Sequence, residues 1–127
     1  MRAKLIILCG LLIFSRCRLN VGPDESTLIS SLRFAPSAFD SFKRNTELHY
    51  TLRAPAELRI TIVRRNASGA DILINTLAGH LRETKGTHGI TWLGDTSERL
   101  FAPAGRYLGV VESGEARFET SVEVFHY

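Results

Sequence analysis

The chain has 127 residues, of which 44% are hydrophobic and 23% charged. This is globular composition at single-domain length, and it excludes a disordered or collagen-like chain and a disulfide-stapled miniature fold, since Cys9 and Cys17 are the two cysteines. The formal charge of +3 comes from the N-terminus: without Arg2, Lys4 and Arg16 the chain has as many cations as carboxylates. A nucleic-acid partner therefore has no electrostatic support.

Residues 1–17 read as a signal peptide. Arg2 and Lys4 are followed at once by the apolar run Leu5 to Phe14, too short for a membrane-spanning helix and of the length of a secretory h-region. Cys9 within that run is a small hydrophobe. Phe14-Ser15-Arg16-Cys17 resembles a relaxed bacterial lipoprotein signal, although Arg16 stands where that pattern has a small residue. The resemblance implies that Cys17 takes a thioether-linked lipid, becomes the mature N-terminus and holds the protein on a membrane. Residues 18–27 are polar, with a Gly22-Pro23 breaker, and form a linker. Ten extended residues reach at most roughly 33–36 Å.

Residues 28–127 carry strand signals and no convincing helix. Leu28 to Phe34 is an apolar-rich opening strand, after which Pro36 breaks the chain. Thr46 to Leu52 alternates, with Leu48, Tyr50 and Leu52 on one face. Ala56 to Arg64 alternates again, with Leu58, Ile60 and Ile62 inward and Glu57, Arg59 and Thr61 outward. Asn66 to Gly69 has hairpin-turn chemistry, and Asp71 to Leu77 is the next strand. Ala78 to Lys85 reads as a polar loop or a frayed strand end. His88, Ile90 and Trp92 share a face of a further strand. Arg106 to Glu112 and Arg117 to Phe125 form a final pair across a Ser113-Gly114 turn. About seven short strands, each with one dry face, predict an all-β antiparallel sandwich of immunoglobulin-like size. A closed barrel is the second architecture this pattern allows.

The second half carries a spaced pattern: Gly86-x-His88-x-Ile90-x-Trp92-x-Gly94, then Ala104-Gly105-Arg106-Tyr107, with Gly69 in the turn upstream. Together these resemble the FlgD-like immunoglobulin-like domain of flagellar hook-capping and bacterial secreted proteins, from about Phe34 to Tyr127. Two positions depart from it: Leu93 stands where the family has Asp or Asn, and Ser97-Glu98-Arg99 where it has a glycine. Trp92 is expected to fill the space between the sheets, Gly94 to turn the chain, Gly105 to open a strand, and Tyr107 to point inward with a hydroxyl in need of a partner. The resemblance implies a structural role for His88.

Catalytic and metal patterns are missing. His49, His80, His88 and His126 form no i, i+4 pair, and with no cysteine after Cys17 a thiolate metal site has no ligands. No nucleotide-binding or nucleophile-elbow motif occurs. No cofactor is expected. Arg53, Arg59, Arg64 and Arg65 form either an anion patch or, as Glu47 and Glu57 nearby favour, a solvated face that blocks edge pairing. The expected function is a non-catalytic, membrane-tethered module of the bacterial envelope, structural or protein-binding. The alternatives are a glycan- or matrix-binding surface protein using aromatics such as Tyr127 and, third, an enzyme.

Overall fold

The computed structural model describes residues 27–126. Cys17, the signal segment, nearly all of the linker and Tyr127 lie outside the described residues. The described chain is all-β. Its strands are β1 (Ile29–Ala35), β2 (Ala38–Asp40), β3 (Thr46–Leu52), β4 (Ala56–Arg65), β5 (Asp71–Glu83), β6 (Gly86–Trp92), β7 (Gly105–Ser113) and β8 (Ala116–Phe125). They form a three-stranded sheet, β1-β3-β6, and a five-stranded sheet, β2-β8-β7-β4-β5. All pairings are antiparallel except that of β2 with β8.

The sandwich follows from side-chain periodicity. Along β3 every second residue is buried, from Thr46 through Leu48 and Tyr50 to Leu52, so one face is dry and the other wet. Leu58, Ile60 and Ile62 of β4 and Val122 and Val124 of β8 supply the opposing dry face. Phe34, Tyr50, Trp92 and Tyr107 complete a single apolar cluster between the sheets. The sheets meet closely where β7 has Gly109: a Cβ there would lie 2.6 Å from Phe34 Cζ, so no larger residue fits without moving the ring.

Two features differ from the sequence expectation. The stretch from Ala78, expected as a polar loop or a frayed strand end, is regular strand as far as Glu83. Its pairing with β4 shifts register three times, near Leu58/Ile60, Ile60/Thr61 and Ile62/Val63. Each shift resets the alternation that would have revealed a strand. The three-residue β2 was not expected. It is too short to show a period, and its pairing with β8 is visible only in three dimensions.

The two ends of the sandwich are distinct. The chain enters at Leu28, whose carbonyl accepts a hydrogen bond from the Arg53 N–H at 2.8 Å. This proximal end also holds the short connectors 53–55, 84–85 and 114–115. The opposite, distal end holds the connectors 41–45, 66–70 and 93–104, together with His126.

Candidate functional site

The residues singled out by the sequence pattern divide between the two ends. Gly86 and His88 lie toward the proximal end. His88 packs beside Tyr50, with ring centroids 5.7 Å apart. One of its ring nitrogens lies 2.8 Å from the Thr84 carbonyl and the other 3.4 Å from Glu83 Oε1. The Tyr50 hydroxyl donates to the other Glu83 oxygen at 2.8 Å. Burial, reinforced by this carboxylate, raises the Tyr50 phenol well above its ordinary value. The cluster ties the end of β5 to β3 and β6 and closes the proximal end.

Trp92, Gly94, Gly105 and Tyr107 come together at the distal end. Trp92 is fully buried and meets Phe39 and Tyr107 edge-on, with centroids 5.7 and 5.5 Å away. Its indole N–H donates to the Asp95 carbonyl at 3.0 Å. Gly94 has φ +77, and a Cβ there would fall 2.4 Å from Ser41 Cβ. The turn after Trp92 can therefore press against the 41–45 connector only with glycine at this position. Gly105 is the first residue of β7, and the Tyr107 hydroxyl donates to the Pro103 carbonyl. Gly69 sits in the 66–70 turn, its N–H bonded to the Asn66 carbonyl at 3.0 Å.

The arginines do not form one patch. Arg64 is exposed, with its guanidinium 5.7 Å from the Tyr107 ring centre. Arg59 contacts Glu112 at 3.4 Å. Arg65 bridges Asp71 at 2.8 Å and Glu119 at 3.1 Å, and Arg117 reaches Asp71 at 2.6 Å. Hydrogen bonds from Arg65, and next from Arg117, hold the Asp71 carboxyl below its ordinary range. These side chains lie across the outer face of the five-stranded sheet, where Thr61, Val63 and Val110 are buried. Arg59, Arg65 and Arg117 are thus paired within the sheet, while Arg53 and Arg64 are exposed without a carboxylate partner among the described residues.

An acid–base pair does occur. His80 lies 3.4 Å from Glu57, in an open cleft of about 300 Å³ lined also by Leu58, Arg59, Gly79, Glu112 and Gly114. No hydroxyl or thiol side chain lines that cleft. Among the described residues no three His, Cys, Asp or Glu side chains are placed to hold one metal ion.

The most distinctive surface is one the sequence reading passed over. Phe42, Leu93, Leu100 and Phe101 are 51, 55, 61 and 57% exposed, and all four belong to distal loops. Phe42 meets Phe101 edge-on at 4.6 Å between centroids and stacks on His126 at 4.1 Å. His126 in turn reaches Ser41 Oγ at 3.1 Å. Two loops and the segment after β8 are thereby joined into one aromatic surface. The 93–104 loop is itself a tight hairpin. Ala102 N–H bonds to the Gly94 carbonyl and Thr96 N–H to the Leu100 carbonyl, each at 2.8 Å. Arg99 at its tip has φ +67, a left-handed conformation that a non-glycine residue adopts at a cost. This is the loop in which the resembled family has a glycine. The one-dimensional signal was apolar residues inside polar, breaker-rich stretches, as in Ser41-Phe42-Lys43-Arg44 and Arg99-Leu100-Phe101. Periodicity analysis discards such residues. Comparison with protein-family models, with curated proteins and with solved structures finds no match.

Proposed function

We propose that this protein is a non-catalytic interaction module of the bacterial envelope, tethered through Cys17 at its proximal end and working through its distal end. The observation that carries this reading is the placement of exposed apolar surface. The large exposed hydrophobic side chains among the described residues are Phe42, Ile72, Leu73, Leu93, Leu100 and Phe101. Phe42, Leu93, Leu100 and Phe101 lie in the distal loops, while Ile72 and Leu73 stand at the start of β5 beside the 66–70 connector, Leu73 on the outer face of the five-stranded sheet. Exposed apolar side chains gathered on one surface mark an interaction site far more often than scattered ones do. The chain enters at the other end, so a tether there leaves this surface unobstructed.

An immunoglobulin-like topology of the FlgD-like type is part of the same proposal. It is supported by the facing orders β1-β3-β6 and β2-β8-β7-β4-β5 and by the bond from the Tyr107 hydroxyl, near the start of β7, to the carbonyl four residues upstream. A tyrosine bonded back in this way at the corner before the penultimate strand is a hallmark of such sandwiches. Loops on a rigid sandwich are the usual place for recognition residues.

Two experiments test the reading. Labelled palmitate is expected to enter the wild type and not Cys17→Ala, and label in neither removes the tether. A photo-cross-linking residue placed at Phe101 is expected to give adducts in whole cells, while one at Lys85 at the proximal end gives none. Equal adduct formation at the two positions would remove the distal end as the working surface.

A further inference from the structure

We infer that the distal end contacts an anionic lipid surface, with Phe42, Leu93, Leu100 and Phe101 entering the bilayer interface while Lys43, Arg44 and Arg99 meet its phosphate groups. This rests on the reading of the distal end as a working surface and names what that surface meets. Three observations lead to lipid. The first is shape. Each of the four apolar side chains stands out with more than half of its surface exposed. Projecting apolar side chains of this kind can enter the interfacial region of a bilayer without a preformed pocket on the partner.

The second is charge. The apolar tips alternate along the chain with cations: Phe42 precedes Lys43 and Arg44, and Arg99 precedes Leu100 and Phe101. Arg44 and Arg99 have no carboxylate partner among the described residues, and Lys43 approaches Asp40 only to 3.9 Å. Two neighbouring carboxylates are set back from the surface: Asp40 is buried, its Oδ2 without a hydrogen-bond partner and facing Lys43, and Asp95 is half-buried. Asp40 accepts from the Phe42 N–H at 3.0 Å, and Asp95 from the Asn75 side chain at 3.1 Å. Glu98 is the exposed carboxylate of the hairpin tip, set against three cations. Apolar side chains flanked by Lys and Arg are the composition that partitions into an acidic interface.

The third is rigidity. The hairpin hydrogen bonds and the Phe42–Phe101–His126 contacts fix the tips before any contact is made, so little ordering is left for binding to pay. The linker permits the geometry. Its reach of roughly 33–36 Å exceeds the roughly 23 Å length of a seven-residue strand such as β3. A tethered domain could therefore tip its distal end onto the same bilayer.

The test uses the full chain with Cys9→Ser and Cys17→Ser, and one new thiol for an environment-sensitive fluorophore, either Leu100→Cys or Lys85→Cys. Each protein is mixed with phosphatidylcholine vesicles with and without phosphatidylglycerol. The label at position 100 is expected to shift to the blue and to be quenched by bilayer-embedded quenchers in the anionic vesicles, while the label at 85 stays aqueous. Phe42→Ser with Phe101→Ser, checked by circular dichroism for retained strand structure, is expected to abolish the shift at 100. At about fivefold per cation near an acidic surface, Lys43→Gln with Arg44→Gln should lower the apparent vesicle affinity at position 100 by more than tenfold. An aqueous label at position 100 in both vesicle types, or equal quenching at 100 and 85, overturns the inference. If the vesicles give no shift while cross-linking at Phe101 still captures protein, the distal end remains the working surface and lipid is the wrong partner. If both fail, the distal surface falls as well.

Discussion

At the proximal end the strands are joined by connectors of two or three residues, and hydrogen bonds from Tyr50 to Glu83 and between His88 and the Thr84 carbonyl seal the rim. At the distal end the connectors lengthen to as many as twelve residues, between β6 and β7, and the apolar side chains they carry stand in solvent. The same two sheets support both ends, so the difference does not come from strand packing. Connectors of two or three residues are at the short end of what joins successive strands, whether within a sheet, as at 114–115, or between the sheets, as at 53–55 and 84–85. Apart from the two-residue 36–37 connector, the distal loops exceed that length, and the surplus holds a shape: Gly94 against Ser41, Trp92 bonded to Asp95, Phe42 against Phe101. The loop's shape is thus fixed by contacts with its neighbours, while Leu93, Leu100 and Phe101 stay outside the core.

The largest effect that would sharpen this contrast is expected at Trp92, the core residue beneath the distal loops. Trp92→Ala should cost about 3–5 kcal/mol by cavity formation, and it also removes one of the two donors, Trp92 and Asn75, that hold the Asp95 carbonyl of the hairpin. Denaturant melts are expected to show a lower midpoint with an unchanged slope, and an unchanged midpoint would refute the role of Trp92 as the distal keystone. Next is Gly94→Ala, where a methyl group meets Ser41 Cβ and the backbone has positive φ. The cost should be roughly 1–3 kcal/mol. It should appear first as faster amide exchange in residues 41–45 and 93–104, with the proximal connectors unaffected.

Tyr107→Phe follows. Losing the bond to the Pro103 carbonyl should cost about 1 kcal/mol, read from the melting temperature. Smaller still is the cost of Phe101→Ser. The side chain is mostly in solvent, so stability should change by about 0.5 kcal/mol or less, while any binding by the distal end falls sharply. A large loss of stability from Phe101→Ser would mean that the aromatic surface is part of the fold, and the contrast between the two ends would collapse.

How far the sequence could be read depended on whether a residue's role was periodic. The inward sets Leu48-Tyr50-Leu52 and Leu58-Ile60-Ile62 were legible because alternation alone puts them on one face. The far half of β5 was not, because its register shifts break the alternation, and β2 was too short to carry one. Trp92, Gly94 and Tyr107 were visible as a spaced pattern, but what they touch, Ser41 and Pro103, is set by loops with no period. Gly109 gave no sign of its contact with Phe34, which lies in the other sheet. The candidate site was the least legible part. Phe42 and Phe101 are far apart in sequence, and only the fold brings them to 4.6 Å.

The smallest expected effect concerns the charges that span the five-stranded sheet from β8 to β5. Asp71 takes hydrogen bonds from Arg65 and Arg117, which hold its carboxyl below the ordinary value of about 3.9. A carboxyl with a lowered folded-state pKa adds stability that is fully present above the unfolded value and is lost as pH falls through the folded one. The melting temperature should therefore be flat with respect to this group above about pH 5 and decline as the solution is acidified below about pH 4. Asp71→Asn should remove part of that decline. The group is solvent-exposed and screened, so added salt should shrink the difference between the two proteins. If instead Asp71→Asn lowered the melting temperature steeply at neutral pH and in high salt, the pairing would be holding Thr61, Val63 and Val110 beneath it. The outer face of the sheet would then be a second core, and the contrast between a structural proximal end and a displayed distal end would have to be extended to the faces of the sandwich.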